Sequence, residues 1–183
     1  HKYGFNNSIA SLGTSFTNEQ AELLKKYTQN VIIAYDNDDA GTEAIIKVAN
    51  ILKRNDFNIR CLTIENEVKD PDEYLRKYGR KKFLEILKTS KNIFEFLYDY
   101  FSKNLNLNEI LGKRELISRF KDFFASIQNR TEMNLYIQKL SVELNIDKDV
   151  LIEEFVRKES KNNRRFTKKN VYKEKVISKL PKE

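Results

Sequence analysis

The sequence predicts an α/β fold followed by an all-α region and a basic tail. Before Asp70, short apolar runs alternate with segments of helical spacing, the pattern of strands and crossover helices. After Asp70, apolar residues recur at three- and four-residue intervals, the pattern of packed helices. Charge marks the tail: residues 157–183 hold 11 Lys/Arg against 3 Asp/Glu, whereas the first 156 hold 23 against 24. The formal net charge of +7 therefore resides in the tail.

Taken in order, Gly4 after a short polar run looks like a helix stop, so we expect the chain to be a fragment of a longer protein. Ser8 to Ala10 suggests a short strand and Leu12-Gly13-Thr14 a turn. Thr17 can cap a helix, with Gln20 at the capping-box position, running to about Tyr27. Asn30 to Tyr35 reads as a buried parallel strand, and the acidic turn Asp36 to Asp39 follows it. Ala44, Ile45, Val48, Ile51 and Leu52 predict a helix from Gly41 to about Asn55, and Asn58 to Ile64 predicts another strand. Such alternation implies right-handed crossovers and a parallel sheet with helices on its faces. Beyond it, Glu73 to Tyr78, Lys82 to Leu87, Ile93 to Phe101, Ile110 to Phe124, Glu132 to Leu144 and Val150 to Glu159 read as helices. Phe94, Leu97, Phe101, Leu116, Phe120, Phe123, Phe124, Leu135, Tyr136, Leu140 and Leu144 have the spacing of core residues. Stacking on nucleobases would need exposed rings, so the aromatics among them are read as core.

Composition bounds the chemistry. With 183 residues and 40% apolar content, the chain can build a core. One cysteine and one histidine leave no disulfide framework and no Cys/His zinc site, and Cys61 sits in an apolar run that points to burial. No run approaches the roughly 18 to 20 apolar residues of a membrane span, and no signal-peptide pattern opens the chain, so a cytoplasmic location is expected. The basic tail suits nucleic-acid phosphates, but its low apolar content favours a solvated linker.

An apolar strand ending in Asp36-Asn37-Asp38-Asp39 places carboxylates at the carboxyl end of a parallel sheet, where open α/β folds bind ligands. If the backbone stays extended through Asn37, Asp36 and Asp38 project to one side, close enough to bridge divalent cations. A plain polar turn remains the alternative. An EF-hand is excluded because Ala40 and Lys47 stand at its fifth and twelfth positions. A haloacid-dehalogenase-like phosphatase is disfavoured by Ala40, where that family usually has Thr or Val. In Asp70-Pro71-Asp72-Glu73, Asp70 can be an N-cap, Pro71 the first helical residue and Glu73 the capping-box partner, with no metal required. Capping and metal binding are compatible, since a capping aspartate keeps one oxygen free.

Tyr35 to Gly41 resembles the Asp-x-Asp motif of Toprim domains. Ser11-Leu12-Gly13-Thr14 with Thr17 to Ala21, and Asp70 to Leu75, resemble two further motifs of the DnaG-type bacterial DNA primases. That family usually has Gly where Asn37 stands. The resemblance reaches from residue 1 to about Lys158 and implies three regions. These are the rear part of a Toprim-type parallel sheet with its helices (1–90), a helical subdomain of the polymerase core (91–158), and a basic linker (159–183) towards a helicase-binding domain beyond the chain. A strand bearing the catalytic glutamate, and a zinc-binding domain, would precede His1. The implied activity is synthesis of short RNA primers on single-stranded DNA. Nucleotidyl transfer of this kind suits a pair of magnesium ions. Asp36 and Asp38 would be the catalytic Mg2+ ligands, with Mn2+ as substitute, and Asp70 and Asp72 would bind further metal or order its water. The implied partners are DNA template, ribonucleotides, RNA primer and the replicative helicase, with no membrane. We expect a monomer that polymerises little or nothing alone. The rival readings are a Toprim nuclease and a noncatalytic nucleic-acid- or partner-binding module. A topoisomerase would need an active-site tyrosine, and none of the nine tyrosines sits in a recognisable motif.

Overall fold

The computed structural model describes residues 1–11, 15–36, 38–64, 68 and 70–156. They divide into two units, residues 1–133 and the described residues from 134 onward. In the first, Gly4 is left-handed (φ 80) and its N–H donates to the His1 carbonyl at 2.9 Å, which closes a turn rather than the last turn of a helix. Ser8 to Ala10 is not a strand. The Ser8 N–H and hydroxyl both donate to the Phe5 carbonyl, which closes a turn instead. Helix α1 (Asn18–Lys25) begins with the expected capping box: Gln20 N–H donates to Thr17 Oγ1 at 3.3 Å, and Thr17 N–H to Gln20 Oε1 at 3.0 Å.

Strands β1 (Asn30–Ile33) and β2 (Asn58–Cys61) pair in parallel, from Asn30 opposite Asn58 to Ile33 opposite Cys61. A two-residue strand, β3 (Lys91–Asn92), joins β2 antiparallel, so the sheet is mixed rather than all parallel. Arg60 secures this return: Nε donates to Ser90 Oγ at 2.9 Å and Nη2 to the Ser90 carbonyl. Among the described residues β1 is an edge strand and Ile32 is 43% exposed, where burial on both faces was expected. The strands are also shorter than their apolar runs. Leu62 and Ile64 lie beyond β2 because they belong to a separate cluster with Val68 and Phe83, flanked by Phe5, Tyr74 and Leu75.

Helix α2 (Asp39–Arg54) buries Ile45, Val48, Ala49 and Leu52, the one-sided stripe its spacing predicts. Its last turn adds a buried Lys53, whose Nζ meets Glu132 Oε1 at 2.5 Å. Helix α3 (Pro71–Lys88) is broken at Gly79 (φ 77, ψ 172), matching the two helices expected there. Asn92 Oδ1 caps α4 (Ile93–Ser102) by accepting from the Phe94 N–H at 2.8 Å. The single helix expected from Ile110 to Phe124 is divided at Phe120 into α5 (Ile110–Arg119) and α6 (Lys121–Ser126). Phe120 is fully buried against Phe94, Phe101 and Phe124, with centroids 5.3, 5.1 and 5.8 Å away. These rings form core, as expected.

Helix α7 (Arg130–Leu144) crosses the boundary between units, and α8 (148–156) belongs to the second. Ile137, Leu140, Leu144, Leu151 and Phe155 are buried. Leu135, expected in the core, is 61% exposed: it lies two residues, about 200° of rotation, from Ile137 and so faces away from the buried stripe. Asn145 ends α7 in the left-handed region (φ 49). The basic tail and the end of the last expected helix lie outside the described residues. Cys61 is buried in β2 as expected, and burial pushes its thiol up to about 12. Among the described residues no helix is long and apolar enough to cross a membrane.

Candidate metal centre

The parallel pairing of β1 and β2 puts their carboxyl ends at one edge of the sheet, where the Leu62 N–H donates to the Ile33 carbonyl at 2.9 Å. The chain leaves this edge twice, towards Asp36 and Asp38 after β1 and towards Asp70 after β2.

Gly41 sets the geometry of the first departure. A Cβ at this position would stand 2.1 Å from the Asp36 carbonyl oxygen and 3.0 Å from its carbon, a collision with backbone that no rotamer change relieves. The same glycine donates its N–H to Asp38 Oδ1 at 2.6 Å, which makes Asp38 the N-cap of α2. The Asp38 carbonyl accepts from the Thr42 N–H at 2.9 Å and hydroxyl at 3.0 Å. The Asp36 backbone and the Asp38 carboxylate thus converge on one residue, and both aspartates are exposed. The sequence showed a small-residue turn here but not this double role of Gly41. Asn37, on which the expected same-side projection of the two carboxylates depends, lies outside the described residues, as does the Leu12-Gly13-Thr14 loop.

Asp70 caps α3 as its sequence suggests, accepting from the Glu73 N–H at 2.7 Å, with Pro71 as the first helical residue. Asp72 is exposed and its Oδ2 lies 3.1 Å from Arg76 Nε, one helical turn on. Among the described residues, no three His, Cys, Asp or Glu side chains gather closely enough to hold a metal ion. Asp38 and Asp70 each turn one oxygen to their own helix, and Asp72 leans towards Arg76.

The donor set nevertheless has the right chemistry for magnesium. It offers hard carboxylate oxygens at a solvent-exposed edge, and each capping aspartate retains a second oxygen. Magnesium keeps several of its waters and is commonly bound through only one or two carboxylates, so a closed protein cage is not required.

Residues 1–75 match a family described as Toprim-like, and residues 94–149 match the DnaB-helicase binding domain of primase. The second match falls within the helical region, whereas helicase contacts were expected beyond the tail. The DNA primase of Clostridium acetobutylicum is 33% identical over 177 residues, covering 94% of this chain and 29% of that protein. The crystal structure of the Aquifex aeolicus primase, with its zinc-binding and RNA polymerase domains, is 25% identical at a TM-score of 0.68, covering 82% of this chain and 35% of that one. A DnaG primase catalytic domain bound to single-stranded DNA is 27% identical at a TM-score of 0.71, covering 81% and 48%. The chain spans less than a third of the C. acetobutylicum protein.

Proposed function

Because the chain belongs to the DnaG-type DNA primases, we propose that it supplies part of the centre that joins ribonucleotides into RNA primers on a single-stranded DNA template. The observation that carries this reading is the convergence of Asp36 and Asp38 on Gly41 at the carboxyl edge of the sheet. The reaction joins a primer 3′-hydroxyl to the α-phosphorus of the incoming nucleotide as pyrophosphate leaves. Magnesium, when bound, would offset the negative charge that develops on the phosphate oxygens. Asp36 and Asp38 would hold it, and the Asp38 oxygen that does not cap α2 is free to take part. Asp70 and Asp72 bind further metal or orient its water, and the cap on α3 fixes the direction of the Asp70 carboxylate. We assign the parent protein to the cytoplasm, where chromosome replication takes place.

Titration with Mn2+ by calorimetry tests the site. Saturable binding by the wild-type chain, lost in the Asp36→Asn, Asp38→Asn double variant, is the expected result; equal binding by both would remove these residues from the metal centre. The chain alone is expected to polymerise little or nothing. Robust primer synthesis by it, abolished by Asp36→Asn, would overturn that expectation.

The match over residues 94–149 supports a second role, contact with the replicative helicase through the helical region. Co-purification of the chain with that helicase, weakened by substitutions within 94–149, is the expected outcome.

A further inference from the structure

Tyr74 and Phe83 stand nine residues apart in α3. In an unbroken helix that spacing is about 13.5 Å along the axis and about two and a half turns, which would put the two rings on opposite sides. Their centroids nevertheless lie 6.0 Å apart. The break at Gly79 closes the gap. Before it, Tyr74 and Tyr78 pack one helical turn apart at 4.7 Å. Gly79 then takes φ 77 and ψ 172, a backbone region open essentially to glycine alone, and the helix resumes beyond it. A Cβ at Gly79 would meet nothing within 4 Å, so glycine is required here by the backbone conformation and not by a neighbour.

The break assembles a cluster that grips Asp70 from both sides. Leu62, Ile64, Val68 and Phe83 are buried together, with Phe5, Tyr74 and Leu75 packed against them. Val68 precedes Asp70 by two residues and Tyr74 follows it by four. An apolar contact between the chain ahead of an N-cap and the first turn behind it fixes the angle at which the chain enters a helix. Phe83 packs on Tyr74, and Phe5 braces Phe83 edge-on at 5.2 Å. Arg80, the first residue past the break, lays its guanidinium over Phe5, 5.6 Å from the ring centroid. Asp70 itself is half-buried. Its Oδ1 accepts from the Glu73 N–H at 2.7 Å and its carbonyl from the Tyr74 N–H at 3.1 Å, so its carboxylate follows the direction of the helix start that the cluster holds.

We propose that Gly79 is a positioning residue for the Asp70 carboxylate, acting from nine residues away by returning Phe83 to the cluster around the α3 cap. It touches neither metal nor substrate. The proposal rests on the reading of Asp70 as a ligand of metal or of its water. Magnesium demands near-octahedral geometry, so a carboxylate whose direction drifts loses value as a ligand even with its charge intact.

Gly79→Ala in the full chain tests this, followed by Mn2+ calorimetry and by hydrogen exchange of the Glu73 amide. Alanine adds a methyl group in open space, but it favours helical backbone at residue 79 and so turns Phe83 away from Tyr74. Mn2+ binding should weaken about tenfold, the scale on which loss of a ligand's support is felt. The Glu73 amide should exchange about tenfold faster, while amides paired between β1 and β2 exchange as in the wild type. Asp70→Asn keeps the cap and removes the charge. In that background Gly79→Ala should weaken Mn2+ binding no further, because both changes act through one carboxylate; a role in general stability alone would leave the two losses independent. Phe83→Leu keeps the break but loosens the cluster, and should reproduce both effects in smaller measure even if Gly79→Ala does not fold. Losses that add in the double variant, or Glu73 exchange unchanged in Gly79→Ala and Phe83→Leu, would overturn the proposal. If the wild type binds no Mn2+, the metal reading alone fails, and Glu73 exchange decides whether Gly79 positions Asp70.

Discussion

Asp38 and Asp70 each hold a helix N-terminus with one carboxylate oxygen, and chemistry can separate that duty from the metal binding proposed for them. Asn caps nearly as well as Asp but carries no charge, whereas Ala removes the cap at about 1 kcal/mol. Asp38→Asn is therefore expected to leave the denaturation midpoint almost unchanged while weakening Mn2+ binding; Asp38→Ala should lower both. Equal loss of stability in the two variants would make the carboxylate charge itself structural. Gly41→Ala should cost about 1–3 kcal/mol, as overpacking does, because the obstacle is the Asp36 carbonyl and cannot rotate away. A variant as stable as wild type, with Mn2+ binding intact, would show that the loop is not fixed by Gly41. The caps were legible because they follow from residue types at fixed offsets. The role of Gly41 was not, since a close backbone approach leaves no trace in polarity or spacing.

At the scale of elements, helical spacing proved the most informative signal, and it located the division of α3 at Gly79 as well as the buried stripe of α2. Strand ends were harder to read. Leu62 and Ile64 continue the apolar run of β2 but are buried in a different cluster, so hydrophobicity reported burial where it was taken to report extended pairing. β3, two residues long and polar, carried no pattern at all. Lys53 lay on the buried side of α2, yet a lysine is a poor sign of core unless its partner is known, and Glu132 is 79 residues away. This pair ties α2 to the first turn of α7. Glu132→Ala is expected to destabilise the chain by a few kcal/mol, near the low end of the ~3–5 kcal/mol typical of broken buried pairs, because Glu132 is 27% exposed. Lys53→Met with Glu132→Leu should recover most of that loss in urea denaturation. A double variant no better than the single would mean that the pair does more than neutralise a buried charge.

For the molecule as a whole, the α/β-then-helical order was readable, because the change from alternating runs to continuous helical spacing spans long segments that single residues cannot blur. A metal cage was not: Asp36, Asp38 and Asp72 are exposed, Asp70 is half-buried, and Asp38 and Asp70 each give one oxygen to their own helix. Folding is also expected to depend on alkaline pH through Cys61. Its thiol is raised from 9.0 to about 12 by burial, so the stabilisation is whole below about pH 9 and declines as pH climbs towards 12. Cys61→Ala should remove that part of the decline. The same burial gives the chain an internal clock. Its only thiol is sealed in β2, so an alkylating reagent reaches it only when the sheet opens, and the rate of labelling at neutral pH measures the fraction of time the strand spends open.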